Sequence, residues 1–501
     1  MTGNINGRKI PDTTYEQIVR TVVVTGTAVY ARPNSRYITT NSAPTTIHLP
    51  DHPQDGQIVS VVCEKGGGWQ ISLEPGKSIL NGRYPGRSAD LVYLASDDRW
   101  VVVALDAFAT RRDIYGVRID TTNQNPETAV EYTDDAVGFV PMRGNNGAFD
   151  WGSWQLPFGQ LGIRPCLFEN GAVNYYLDPD DFTKKVDGTA ADITSGNDGD
   201  VMIEFPKIYW SFSKVGTDRY VRMSQYPHEG YVCLAHTRGD TERDYIHIGA
   251  YKGSVLSGAL RSLSGAVPAY NQTHAKFREY AHANGSGYEQ YLFYQMVLLQ
   301  VLYVIFFKSL NGQTALGRGN VDASVRKNTG ARNTDGMFWG STNGTQQIKF
   351  CGIEDWWGNQ YDWVDGFWST SSTDPARKLW IATDDFDTVP YRLVEEVWVD
   401  ADPRPDNYRE YGTGFATNQD GYIKDVHGTN ETGFVTALPG GGSETTYYCD
   451  YAFLRAGCLG YFGGSWATAG DSGPFRLGVN TSPTGVFSTI GGRLTHVEKD
   501  E

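Results

Sequence analysis

The chain has 501 residues, 40% of them apolar, 20% charged and 13% aromatic, enough for a folded core and, on length alone, for about three domains. Forty-three basic against 58 acidic side chains leave a net charge of −15. That balance disfavours nucleic acid and anionic membrane surfaces, which are bound by cations that neutralise phosphates. The absence of a Gly-X-Y period or a sustained heptad excludes collagen and coiled coil, and the aromatic content excludes long disorder. Fifty-eight Gly with 30 Tyr and 13 Trp describe a loop-rich surface of rigid aromatic plates, a composition suited to binding.

The N-terminus, MTGNINGRKIPD, has no apolar h-region, so no signal peptide is expected. A short helix is expected around Tyr15 to Arg20. Beyond it come TVVVTGTAVYA, RYITTN, TTIHLPD, GQIVSVVCEKG, WQISLEPG and LVYLASDDRWVVVAL. Each run is rich in β-branched residues and closed by Gly, Pro, Asn or Asp, the pattern of strands and hairpins. Residues 1–110 therefore read as a small all-β module, with a boundary in the charged stretch Asp106–Gly116. Residues 111–501 read as a second, larger domain. There YGVRID, VMIEFPKIYWSFS and RYVRMSQYP look like strands and precede a helical zone from Asn271 to Leu310. Within that zone YLFYQMVLLQVLYVIFF, Tyr291 to Phe307, is only about 17 residues long and carries Gln295 and Gln300. It is short for a membrane span, and a helix apolar nearly all round also suits the centre of a large domain. A buried core helix is expected. After Gly312 the segments are short and punctuated by Trp and Gly, with Gly440–Gly442 as a flexible tip. No fixed-period repeat is visible, which argues against a β-helix or propeller. The fold class expected is α+β, a small N-terminal all-β module followed by a large domain with long loops.

Few residues are arranged for catalysis. Cys63, Cys166, Cys233, Cys351, Cys449 and Cys458 form no Cys-x-x-Cys pair and read as free thiols. GDSGP, Gly470 to Pro474, looks like the surroundings of a trypsin-like nucleophile, but the nearest histidine, His427, has no matching context. The nine histidines show no metal-ligand spacing. Glu354, Asp355, Asp362 and Asp365 offer oxygen ligands without an EF-hand loop. Turn-forming and capping acids are the simplest reading, although two carboxylates ~5–10 Å apart would also serve a glycosidase. No catalytic residue, metal or cofactor is expected.

Two segments are more informative: CGIEDWWGNQYDWVDG (Cys351 to Gly366) and GYFGGSWATAGDSGPFRLGVNTSPTGVFSTIGGRL (Gly460 to Leu494). Trp356, Trp357, Trp363 and Trp466 are large plates expected to be buried scaffold. GNQYDWVDG resembles the Gly-Asn-x-x-Glu-Trp motif of the formylglycine-generating-enzyme type of C-type lectin fold. GGSW and GGRL resemble its Gly-Gly-Ser-Trp and Gly-Phe-Arg-Leu ends. Over about residues 114–501 the chain is similar to the variable proteins of diversity-generating retroelements and to phage tropism determinants built on that fold, with Phe293–Gly319 in the place of their central helix. The N-terminal module looks like the small trimeric β modules of phage tail fibres.

That resemblance implies a C-type lectin-like receptor-binding domain over 111–501, with a variable-region-like segment at 455–495. It implies a tail-fibre tip adhesin carried in the virion, binding a host cell-surface receptor that is a glycan or a protein. The N-terminal module would attach to other tail proteins and associate as a homotrimer, with no nucleic acid bound and no membrane insertion. Enzymatic relatives use a copper-binding cysteine pair or a histidine-held iron, and Cys449 and Cys458 sit in no matching context. Carried over residue by residue, the outward ligand-binding positions are Tyr461, Ser465, Thr468, Asp471, Arg476, Thr484 and Phe487. Pro474 and Pro483 depart from the family pattern and stiffen the loop, and Phe487 as a core residue with Asp471 as a turn cap stays open. The alternatives are a tail-associated depolymerase using paired carboxylates and a cellular surface-display protein.

Overall fold

The computed structural model describes residues 4–5, 8–9, 20–40, 45–63, 69–72, 78–80, 88–95, 99–105, 114–371, 378–384, 386–412 and 419–499. Most of the helix expected at Tyr15–Arg20 and of the boundary stretch Asp106–Gly116 lies outside them; Arg20 itself opens a strand. Two compact units are present. One holds Met1–Arg112 with Val137–Val140 and Gly152–Gly162; the other holds Asp113–Ala136, Pro141–Trp151 and Ile163–Glu501. Strands take up 41% and helices 9%, so the chain is β-rich, with less helix than an α+β label suggests.

The first unit departs from the expected hairpins. Arg20–Val24, Ser35–Thr39 and Ile58–Cys63 pair in parallel. Ala28–Tyr30, Thr45–His48 and Trp69–Ser72 pair in parallel in a second sheet. The chain thus alternates between two sheets and adds one strand to each per turn, as a short solenoid does. Unequal loops separate the turns, which is why this stacking leaves no fixed period in the sequence. An antiparallel pair, Ser88–Leu94 with Arg99–Leu105, continues the larger sheet from Ile58–Cys63. Alternation buries one face of each strand, and Val24, Tyr37, Ile47, Val59, Leu91 and Trp100 form a core between the sheets.

The second unit is built from three larger sheets. A four-stranded antiparallel sheet runs Val130–Asp134, Tyr115–Asp120, Asp218–Ser224, Tyr209–Val215. A seven-stranded sheet closes with the C-terminal strand Leu494–His496, inserted between Tyr245–Gly249 and Tyr288–Gln290. The largest sheet contains β1 (Tyr361–Ser369), β2 (Gln419–Val426), β3 (Tyr451–Leu454), β4 (Cys458–Phe462) and β5 (Leu477–Thr481). Their spatial order is β1-β4-β5-β3-β2, with only β3 and β5 parallel among these neighbours.

The helix Phe293–Phe307 sits against these sheets, and all 15 of its residues are buried. It has no polar face, so it is stable only when surrounded by protein. Aromatic contacts fix it: Phe293 stacks on Phe367 at 5.2 Å, and the Tyr303 ring lies 5.7 Å from Phe475. Gln300 donates from Nε2 to the Pro474 carbonyl at 2.8 Å, which gives the amide nitrogen a partner in an apolar interior. The helix ends where Lys308 turns left-handed, at φ +48°. No helix among the described residues is long and apolar enough to cross a membrane. The flanking helix His274–His282 starts at Thr273, whose hydroxyl accepts from the Lys276 N–H at 3.1 Å.

Candidate functional site

The two informative segments meet in the interior. Arg493 of GGRL is wholly buried and donates from Nε to Asp362 at 3.2 Å, from Nη1 to the Gly249 carbonyl at 2.9 Å, and from Nη2 to the Glu354 and Asp355 carbonyls. Asp362 of GNQYDW also receives Lys252 at 2.8 Å. Burial pushes the Lys252 ammonium down to about 8, with Asp362 opposing. The Asn359 side chain is buried, accepts from the Lys327 N–H at 2.7 Å and donates to Asp355 at 2.7 Å. Trp356, Trp357 and Trp363 are fully buried, as expected; the Trp356 indole N–H donates to the Tyr291 hydroxyl at 3.1 Å. Trp466 differs. It is half-exposed, with its backbone N–H tied to the Asn359 carbonyl at 3.2 Å.

The four acids belong to this interior framework. Glu354 accepts from the backbone N–H groups of Gly330 at 2.7 Å and Arg332 at 2.8 Å. Its burial, with Asp355 beside it, holds its carboxyl well above the ordinary range. Burial likewise raises Asp355, to about 6, while Gln347 and Lys252 oppose. Burial would raise Asp365 too, but the Arg278 guanidinium outweighs it and holds the carboxyl below its ordinary range. None of the four faces solvent, and each is bonded inside the framework. No group of three or more metal-ligating side chains occurs among the described residues, and Cys166, Cys233, Cys351, Cys449 and Cys458 are free thiols.

One face of the large sheet reaches the surface along β2, β3 and β5. Cross-strand partners share a face, and the register aligns Asp420 (β2), Phe453 (β3), Gly478 (β5), Tyr461 (β4) and Trp363 (β1) in one row. Tyr422 and Tyr451 pair in the next row, with rings 5.2 Å apart. Ala452, Leu454 and Val479 are buried on the opposite face. Tyr422, Tyr451 and Phe453 remain half-exposed and Asn480 is exposed. The Tyr461 ring lies flat over Gly478, where a Cβ would come within 2.3 Å of it. Tyr461 then packs edge-on against Tyr361 at 4.8 Å and donates to the Asn480 side chain at 2.7 Å. Arg476 spans the row, its guanidinium 5.3 Å from the Tyr361 ring and 5.6 Å from that of Phe453. It donates to the Asp471 carbonyl at 2.9 Å, and Tyr422 donates to the Asp471 carboxylate at 2.9 Å. Burial pushes the Tyr422 and Tyr461 phenols up, with the Asp471 bond adding to the shift of Tyr422. Both are neutral donors at pH 7.

Of the outward positions expected from the resemblance, Thr484 and Phe487 are exposed, and the Phe487 ring lies 6.3 Å from Trp363. Thr468 and Asp471 are half-buried; Asp471 ends the short 3-10 turn Ala469–Asp471 while tying Tyr422 to Arg476. Tyr461, Ser465 and Arg476 are buried rather than outward. Each has a physical reason. Gly478 lets Tyr461 lie down, Arg476 is drawn between two rings, and the Ser465 N–H is held by the Thr468 hydroxyl at 2.9 Å. Tyr361, Tyr422, Tyr451, Phe453 and Asn480 were not anticipated. The aromatic pair two residues apart in YAFL was the available signal, since that spacing puts both rings on one strand face. The Gly440 N–H is bonded to the Tyr422 carbonyl at 2.9 Å, so the expected flexible tip is tied to β2. The site offers rings, phenols, an amide and a guanidinium, a set for non-covalent recognition. Compared with known proteins, the chain matches no family model, and no curated protein is significantly similar to it.

Proposed function

We propose that the chain is a phage tail-fibre tip adhesin whose residues 111–501 form a C-type lectin-like domain that binds a host cell-surface receptor. The observation that carries this reading is the aromatic cluster on one face of the large sheet, open to solvent at Tyr451 and Phe453, with Asn480 exposed beside Tyr461. Rings already packed against neighbours lose little freedom on binding, so contact area is gained at low entropic cost. The burial of Asp362 against Arg493 supports the resemblance, because the two motifs that suggested the fold then have a common structural purpose. The net charge of −15 supports a receptor other than nucleic acid. With Glu354, Asp355, Asp362 and Asp365 inside the framework, the depolymerase reading loses the residues it rested on, and binding without cleavage is the form proposed. The N-terminal unit attaches the tip to other tail proteins in the virion. A homotrimer would add avidity of about 10²–10⁴ to three weak sites.

The test is adsorption to host cells by the chain carrying Tyr451→Ala with Phe453→Ala, or Asn480→Ala alone. The double variant is expected to lose about tenfold or more of cell binding with an unchanged unfolding midpoint. Unchanged binding by a folded double variant would overturn the assignment of this face.

A further inference from the structure

A second surface lies beside the aromatic row, where the loops 266–271, 325–327 and 482–489 converge. They are joined by the Asn271 N–H donating to the Phe487 carbonyl at 3.0 Å and by Arg326 Nη1 donating to the Ser488 carbonyl at 3.1 Å. Segments 266–271 and 325–329 are also bridged by paired bonds between Ala266 and Thr329. Large apolar side chains here are exposed rather than covered: Val267 57%, Tyr270 38%, Val325 66%, Val486 55% and Phe487 39%. Among them stands Arg326. Its guanidinium lies 3.3 Å from the Tyr270 ring centroid and 5.2 Å from that of Trp466. No carboxylate pairs with it among the described residues, although the chain carries 58 acids. Partial desolvation holds it below its ordinary pKa, with Tyr270 opposing.

An arginine clamped between aromatic rings, short of an anion and ringed by exposed apolar groups, has the composition of an interface hot spot. Its planar face is occupied by Tyr270 and one edge N–H by the Ser488 carbonyl, which leaves the remaining edge N–H groups to meet a carboxylate in the plane. Branched aliphatics at the rim fit protein side chains better than sugar rings, because valine offers neither a flat face to a pyranose nor a hydrogen bond to its hydroxyls.

We infer that this patch is a docking subsite for a protein receptor, one that places an Asp or Glu carboxylate on Arg326 and apolar side chains on Tyr270, Trp466 and Phe487. The inference rests on the adhesin reading and names the chemical class of its receptor. The full chain would be probed with an array of 12-residue peptides presenting Asp or Glu between Leu, Phe or Trp, a matched array with Asn or Gln in the acidic position, and an array of sialylated and uronic-acid oligosaccharides. Binding to the acidic peptides is expected, weakened about tenfold by Arg326→Gln and by raised salt, and weakened also by Val325→Ser with Val486→Ser, which alter only exposed side chains. Equal binding of the amide peptides, binding to the acidic oligosaccharides alone, no binding to any peptide, or peptide binding unaffected by Arg326→Gln would each overturn it. So would dissociation of an oligomer by Arg326→Gln, which would make the patch a contact between copies. Host-cell adsorption measured in parallel keeps the two readings apart. Loss of adsorption in the Tyr451 and Phe453 variant with a normal Arg326→Gln variant would sink only the subsite, and acidic-peptide binding without adsorption to any host would sink only the adhesin.

Discussion

Arg493 holds two distant motifs together because its nitrogens are all engaged inside the protein, one by a carboxylate and two by backbone carbonyls. Lysine can place one point charge there but cannot fork to carbonyls on different loops. Arg493→Lys is expected to lose about 1–3 kcal/mol of stability in urea unfolding, the scale for leaving buried carbonyls without a donor. His236 makes a different prediction. It is fully buried with its Nε2 3.2 Å from the Phe205 carbonyl, and burial pushes its pKa down to about 4. Between pH 6.5 and about 4 the unfolded chain binds a proton at this position and the folded chain does not. Stability therefore falls as pH falls through that window, by about 1.4 kcal/mol per pH unit from this one group. In His236→Gln that contribution to the slope is expected to vanish when unfolding free energies are measured from pH 7 to pH 4. An unchanged slope would mean that the imidazole titrates normally in the fold.

At the scale of elements, the proposed ligand face depends on how β4 and β5 lie together. Gly478 is not in a left-handed turn; it is needed because the Tyr461 ring occupies the space of its side chain. Gly478→Ala is expected to lift that ring, break its bond to Asn480 and cost about 1–3 kcal/mol, the range for overpacking. Cell binding should fall with it, since Tyr361 packs on the same ring and Arg476 lies between Tyr361 and Phe453. The tryptophans should separate by element too. Trp363, buried in β1, is expected to cost about 3–5 kcal/mol on substitution by Ala, whereas half-exposed Trp466 should cost clearly less while weakening the patch around Arg326. Equal losses in chemical denaturation would place Trp466 in the core after all.

For the molecule as a whole, two compact units with separate cores predict two calorimetric transitions rather than one. The smaller unit bears on assembly. A homotrimer is what the resemblance implies for this module, yet Tyr37, Ile47, Val59 and Trp100 already form a core within a single chain. What remains in favour of association is the parallel stack, whose outermost strands Arg20–Val24 and Ala28–Tyr30 pair on one side only among the described residues, leaving backbone edges of the kind that proteins cover. Light scattering at micromolar concentration is expected to give three times the chain mass of 55.4 kDa. A monomer there would remove the trimer from the proposal.

The sequence by itself determined where most strands of the first unit form, that Tyr291–Phe307 would be buried, and that Trp356, Trp357 and Trp363 would be interior, because hydrophobic periodicity and side-chain size act over a few residues. It did not determine strand direction in the first unit, since runs of β-branched residues are the same whether their partner lies parallel or antiparallel. Nor did it show that Tyr461 and Arg476 turn inward: that follows from Gly478 and Phe453 lying opposite, on strands whose pairing is set far along the chain. The roles of Asp362 and Asp365 were open for the same reason. Only the tertiary structure decided them, by bringing Arg493 from 131 residues away and Arg278 from 87 to carboxylates that could otherwise have stood in a cleft. Burial of a charge is settled by the partner that arrives with it, and the partner is a property of the fold.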